Sequence, residues 1–536
     1  MGRLHRNICL GTCVLLGGCQ LLAGSDKGVA ATPDGGGAAQ GGAGAGTGGG
    51  AAQGGGAGAG GTGTGGAGGL GQGGAGSGDP DTSPFAMGGY GRVFKDDGGG
   101  RAAFHAVEVD SQGGLLLGGD FYGQVDFDGS PSRYAGGSDA VMLRLEPSRG
   151  LTTARQRFLG AGSEAVTAMR QDTNGAVYVA GYSNTADLML ETEPWPSASS
   201  HTYGFVMLWR PLDNTVVWKR HLFSTRADVR VHGLVFDASA ADQVIVVGEF
   251  ADEVAIDVPA TPPFVTGKLG AFALALHGSS GLPGGFAAIT GPQGVVARSV
   301  AVDAQSRVVV AGDFDTEING QLTAVGGLDA FAAGVDLGQG TITWSRRLGG
   351  MGQDRARAIG TDGTHVWVLG SFAGHAETND GFALDALGGR DGFVLRLDDR
   401  GQTRSLERIG GSGDDGATSL VLGPDGRAWI AGFAGADLAY RGFPAPTGAG
   451  GRDVFVLGLD VAGAAHVFAR IGGPGDEGGD WSSDDLADVV LGLSADARAL
   501  GLAGTFRQSF STAGVSLGYP ARATGDAAFA VLLPLR

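Results

Sequence analysis

The chain has 536 residues, 106 of them glycine, and its 55 acidic side chains outnumber 37 basic ones to give a formal charge of −18. Nucleic acid and anionic membrane surfaces are bound by clustered Lys and Arg, so this balance makes both poor candidates as partners. The three cysteines, Cys9, Cys13 and Cys19, all precede residue 20, which removes disulfides, thiolate zinc sites and cysteine nucleophiles from everything that follows.

Residues 1–18 have the layout of a secretory signal: Arg3 and Arg6, an apolar run from Ile8 to Leu16, then small residues. The apolar run is too short to span a bilayer. Leu16-Gly17-Gly18-Cys19 resembles the lipobox of bacterial lipoproteins, which implies cleavage before Cys19 and a diacylglycerol on its thiol. In that family Gln20, where Asp would favour the inner membrane, implies the outer membrane. Residues 19–84 follow as a Gly/Ala-rich stretch with hardly an apolar side chain large enough to offset the entropy of ordering it. Read as a flexible coil, it has a reach of roughly 45 Å.

Residues 85–536 carry a repeat. An apolar, β-branched run ends in Gly-x-Phe, or a near variant, at Gly119, Gly181, Gly248, Gly312, Gly370, Gly432 and Gly504. About 20 residues after each comes an alternating segment such as "LDAFAAGVD" or "RDGFVLRLD". One further strand precedes each Gly-x-Phe and another follows each second segment, with Gly/Asn/Asp turns joining the first pair and the last pair. Four antiparallel strands, seven times over, without any sustained helical period, specify an all-β, seven-bladed β-propeller. The last copy stops after its third strand, so the segment from about Phe85 to Phe94 is expected to supply the missing fourth and close the ring.

With these motifs in view, the repeat resembles the bacterial seven-bladed propeller repeat of the SBBP type. That resemblance implies a secreted or surface-anchored propeller and no common enzyme activity.

Between repeats the chain writes one loop several times: "RLGGMGQD", "RIGGSGDD" and "RIGGPGDE". Its carboxylates, Glu164, Asp354, Asp415 and Glu477, fall on one face of the disc near the central channel. They are candidates either to bind a hard cation such as Ca²⁺ or to accept amide hydrogen bonds and fix their own turns. Two further segments are candidate ligand sites on that face. Trp195, His201 and Tyr203 sit in a long Pro-containing segment, and Asp476, Asp480, Trp481, Asp484 and Asp485 in an acidic insertion before the last repeat.

No His-Glu-x-x-His or P-loop occurs, and the histidines are scattered singly. The sequence therefore reads as a lipid-anchored monomer of the outer membrane with no required cofactor. Its propeller would be a non-catalytic module that binds an envelope or extracellular protein or glycan through its variable loops. Two alternatives stand beside that reading: a hydrolase or lyase acting on polysaccharide, signalled by carboxylates converging at the channel mouth, and a passive surface-coat component.

Overall fold

The computed structural model describes residues 89–94, 100–472 and 489–535, with interruptions at 130, 198, 238–241, 304, 436, 449–450, 507–509, 513–514 and 518–526. Cys19, Glu477 and the insertion with Asp476, Asp480, Trp481, Asp484 and Asp485 lie outside the described residues.

Among the described residues there is no helix, and the strands pair in seven successive antiparallel runs of four, called sheets below, some of them joined or lengthened at the outer edge by short extra strands. The first six span 101–159, 164–223, 229–291, 295–350, 355–410 and 416–471. The seventh takes three strands from 489–534 and its fourth from the other end of the chain. Tyr90–Phe94 pairs with Ala527–Pro534 in the register Tyr90↔Leu532 to Phe94↔Ala528. Each sheet is innermost at its first strand, and that strand packs on the first strands of the sheets before and after it.

The core is divided to match. Seven apolar clusters lie one in each gap between neighbouring sheets, including the gap between the seventh and the first, where Phe94, Phe104 and Phe121 meet Val490 and Leu532. A β-propeller is what this arrangement describes: alternate side chains of every strand enter the wedge on one side or the other.

The recurring Gly of Gly-x-Phe has a steric cause. In the first six sheets the first strand carries one extra residue opposite the second strand, a β-bulge at His105, Thr167, His232, Arg298, Arg357 and Thr418. The curl of the bulged strand presses a carbonyl onto the second strand. A Cβ on Gly119, Gly181, Gly248, Gly312, Gly370 or Gly432 would overlap the carbonyl oxygen of Ala103, Ala165, Arg230, Val296, Arg355 or Gly416, respectively.

Two more contacts tie sheet to sheet. Aromatics of the fourth strands cover left-handed glycines in the next sheet's last turn: Tyr90 on Gly150, Trp218 on Gly281 and Trp344 on Gly401. The segments between second and third strands, expected to be free loops, fold back instead as short strands on the outer edge of the preceding sheet. Met189–Leu190 pairs with Phe158–Leu159, Ala376–Thr378 with Leu348–Gly350, and Ala439–Tyr440 with Ile409–Gly410. In the same way Ala255 and Ile256 pair with Phe223 and Leu222. These additions cover outer edges that would otherwise offer unpaired backbone groups to another chain.

The glycine argument makes a prediction. Gly312→Ala should lower the unfolding free energy by about 3 kcal/mol or more, since the obstacle is backbone and cannot swing away. At Gly294 a Cβ meets only an Asp315 carboxylate oxygen at 3.8 Å, so Gly294→Ala should stay within about 0.5 kcal/mol. Urea titrations of both variants check it, and equal losses would refute it.

Candidate functional site

Three of the crossing loops between sheets end at the carboxylates singled out above. Glu164, Asp354 and Asp415 are each 0 % exposed. Asp415 accepts the Gly411 and Gly435 amides, both at 2.7 Å, and Asp354 accepts those of Gly350 and Ala373 at 2.8 and 3.0 Å. Glu164 accepts the Ser183 hydroxyl at 3.0 Å. Asp354 and Asp415 thus pin the turn before them to the end of their own second strand, and Glu164 holds the end of its second strand.

Beside each lies a second carboxylate, the one that opens the third strand of the sheet before: Asp139 beside Glu164, Asp329 beside Asp354 and Asp391 beside Asp415. Arg347 approaches Asp329 at 3.4 Å, and Arg408 approaches Asp391 at 3.5 Å. In the following crossing Arg470 meets Asp453 at 2.7 Å. Burial, reinforced by the neighbouring carboxylate, pushes Glu164 up to about 8. Burial likewise pushes Asp354 and Asp415 up to about 6 against their amide hydrogen bonds. The three crossing carboxylates belong to different sheets and are not brought together. Among the described residues no group of three or more His, Cys, Asp or Glu is arranged to hold a metal ion.

Trp195 and Tyr203 are placed inside, not in the loop surface expected of a ligand platform. Trp195 is 6 % exposed, stacks on His221 with ring centroids 4.2 Å apart and has the Lys219 ammonium over its ring. It takes part in the wedge between the first and second sheets. Tyr203 is fully buried and donates its hydroxyl to the Thr185 carbonyl at 2.8 Å. His201 is partly exposed, with Asp228 at 3.8 Å. The reason is the fourth strand of the second sheet, where Lys219 and His221 stand two apart on one face and form a seat for the indole. Burial, with Lys219 beside it, drives His221 down to about 3.

Residues that the sequence did not mark line the axis. A cavity of about 160 Å³ is bounded by first strands from all seven sheets. Its lining includes five of the bulge residues, His105, Thr167, His232, Arg298 and Arg357, and the sixth, Thr418, as well. The bulge re-aims this one side chain per sheet. Where it is Thr, the hydroxyl closes onto the next sheet: Thr167 donates to the Val231 carbonyl at 2.9 Å and Thr418 to the Val489 carbonyl at 2.7 Å. Where it is basic, the residue after the second-strand glycine answers it in three sheets. His105 meets Asp120 at 2.6 Å, Arg298 meets Asp313 at 3.2 Å, and His232 lies 3.5 Å from Glu249. Burial raises Glu249, but His232, Arg230 and Arg298 outweigh it and hold the carboxyl below its ordinary range. A sequence signal existed in three sheets, where the bulge residue stands three places after the crossing carboxylate: Thr167 after Glu164, Arg357 after Asp354 and Thr418 after Asp415.

The larger concavity, about 670 Å³, lies at the other end of the sheets, among the hairpin turns of the third, fourth and fifth. Ile245, Val308, Val335, Val366 and Trp344 give it apolar walls. On its rim Arg307 bridges two sheets, donating to Asp303 at 2.5 Å and Asp399 at 2.8 Å.

No family model and no curated protein matches the chain. Among solved structures, a protein of unknown function from Dyadobacter fermentans aligns over 83 % of this chain and 98 % of its own at 12 % identity, with a TM-score of 0.37. BamB from Moraxella catarrhalis aligns over 66 % and 91 % at 12 % identity and 0.31, and the Pan2 WD40 domain of Neurospora crassa over 83 % and 97 % at 9 % identity and 0.39. The fold rests on the strand pairing and wedge packing above, not on these distant likenesses.

The raised carboxyls carry a pH dependence of definite sign. A carboxyl whose folded pKa of about 6 exceeds its unfolded value contributes stability that is complete below the unfolded pKa, near 4, and lost as pH rises through 6. Asp415→Asn removes that titration and turns an amide NH₂ toward one of two backbone N–H groups. The variant should be the less stable at pH 4, with the gap to the wild type narrowing by about 2 kcal/mol by pH 7. Denaturant melts at both pH values test this, and a gap that widened would sink it.

Proposed function

We propose that this chain is a non-catalytic binding module of the cell envelope, anchored by lipid on Cys19 and tethered by the Gly/Ala-rich stretch of residues 19–84. The observation that carries the binding reading is the turn-face groove. At about 670 Å³, with apolar walls and a few fixed charges at its rim, it has the size and character of a site for a short glycan or peptide segment. The crossing carboxylates do not favour the polysaccharide-cleaving alternative, because Glu164, Asp354 and Asp415 are fully buried and engaged in local hydrogen bonds. The recognition surface is thereby moved to the face opposite the one the sequence pointed to. There the variable segments are occupied in covering sheet edges. The envelope address rests on the lipobox resemblance of residues 16–19 and agrees with the SBBP-type resemblance of the repeat.

Two measurements test the two halves separately. Thr343 is an exposed residue of the groove wall, and Thr343→Trp should fill the groove without disturbing the core. The full chain, applied to glycan and peptide arrays, should give hits whose affinity falls at least tenfold in that variant. Hits that survive it, or blank arrays, would remove the groove from consideration. Cys19→Ser should move the protein from the membrane fraction to the soluble fraction and abolish incorporation of labelled fatty acid. Continued incorporation would contradict the anchor.

A further inference from the structure

Four crossings carry an arginine seven places before their acid: Arg157 before Glu164, Arg347 before Asp354, Arg408 before Asp415 and Arg470 before Glu477. Three of these arginines turn toward the carboxylate that opens the third strand. Arg347 approaches Asp329 at 3.4 Å, Arg408 approaches Asp391 at 3.5 Å and Arg470 meets Asp453 at 2.7 Å. Arg157 forms no such pair with Asp139. Its guanidinium lies on Glu191 instead, with contacts at 2.8, 3.2 and 3.3 Å. The cause is the edge-covering hairpin of Met189–Leu190 and Glu193–Pro194. In its turn Glu191 takes a left-handed φ of 53° and donates its amide to the Arg157 carbonyl at 2.8 Å, which sets carboxylate and guanidinium side by side.

The crossing from the first sheet to the second is thus left with two carboxyls and no cation in contact with them. Asp139 and Glu164 are both 0 % exposed and lie within hydrogen-bond reach of each other. Asp139 accepts the Ala135 amide at 2.7 Å and the Gly160 amide at 3.4 Å. Glu164 accepts the Ser183 hydroxyl through Oε1, while its buried Oε2 has no hydrogen-bond partner. The other charged and titratable groups that face the pair supply no proton to it. Asp187 adds a further negative charge, the Tyr203 hydroxyl is given to the Thr185 carbonyl, and Arg157 acts on Asp139 only from a distance. Two ionised carboxylates are acceptors only, so the pair is bonded only when one of them keeps its proton.

We infer that Asp139 and Glu164 share one proton, and that this proton latches the crossing between the first and second sheets, making it a pH-sensitive seam. Burial, with Asp139 beside it, pushes Glu164 up to about 8, whereas Asp354 and Asp415 rise to about 6. A carboxyl raised in the folded state contributes stability that is complete below its unfolded pKa and lost as pH rises through the folded one. Above pH 6.5 the crossings of Asp354 and Asp415 have given up most of that contribution, and the crossing of Glu164 still has it to lose. What loosens with it is local. Asp139 holds the end of the first sheet's variable segment at Ala135, and Glu164 holds Ser183, whose hydroxyl accepts the Thr185 amide at 3.1 Å. The seam lies at the opposite end of the sheets from the turn-face groove and does not depend on it.

The test is hydrogen exchange of the full chain between pH 6.5 and 9, read by mass spectrometry and corrected for the intrinsic pH dependence of amide exchange. Peptides covering 134–140 and 158–165 should open about tenfold more readily at the upper pH, while those covering 348–355 and 409–416 change by less than about twofold. Glu164→Gln places a permanent donor beside Asp139 and should make the first crossing as flat as the other two, and Asp139→Asn should do the same. A flat response of the wild-type first crossing, or an equal response at all three, overturns the latch, as does a response that survives both substitutions. The wild-type comparison decides by itself if neither variant folds.

Discussion

A first-strand carbonyl occupying the space of a second-strand Cβ is the constraint on which most of this molecule depends. In six sheets it leaves glycine as the only residue that fits, and it exists because the first strand holds one residue more than its partner. The consequence for register is severe. A slip of one residue would set Ala311 or Asp313 in place of Gly312 against the Val296 carbonyl, and would turn every side chain of the strand into the wrong wedge. With the register fixed, Val310 and Phe314 enter one wedge and Val309 and Ala311 the next. The bulge that demands the glycine also directs one side chain per sheet to the axis, so core and cavity share a cause.

A ring of sheets has no single core, and each wedge must be held where the chain crosses to the next sheet. The glycine-rich crossing does this with polar groups. Gly410 lies where a Cβ would overlap the Asp391 carboxyl, and Gly411 where it would overlap the Asp437 carbonyl, so the chain can pass only as bare backbone. Bare backbone at that depth needs acceptors for its amides. Asp415 satisfies two, one on each side of its sheet's first hairpin. The second buried carboxylate, Asp391, accepts the Leu387 amide at 2.8 Å and so fixes the end of the preceding variable segment. Two carboxylates close together in a buried place disfavour double ionisation, and the arginine that precedes the glycine pair, Arg408 here, offsets part of that. Where it carries its acid, as at Glu164, Asp354 and Asp415, the repeated loop is thus a lock.

How much of this was legible follows from what repeats. Gly-x-Phe or its near variant recurs in every repeat and the third strand opens with Asp in four of them, so strand number, order and the closing role of the N-terminal strand could be read directly. The axial residues recur only as a position: His, Thr, His, Arg, Arg and Thr share no chemistry, and nothing in composition or alternation marks them until the bulge is seen. The edge-covering strands were equally hidden, since Met189–Leu190, His375–Thr378 and Ala439–Tyr440 resemble neither one another nor a strand of useful length. Trp195 was misplaced for a related reason. Its flanking prolines suggest an exposed loop, whereas its seat is made by Lys219 and His221, more than twenty residues away and visible only once the fourth strand is laid beside it.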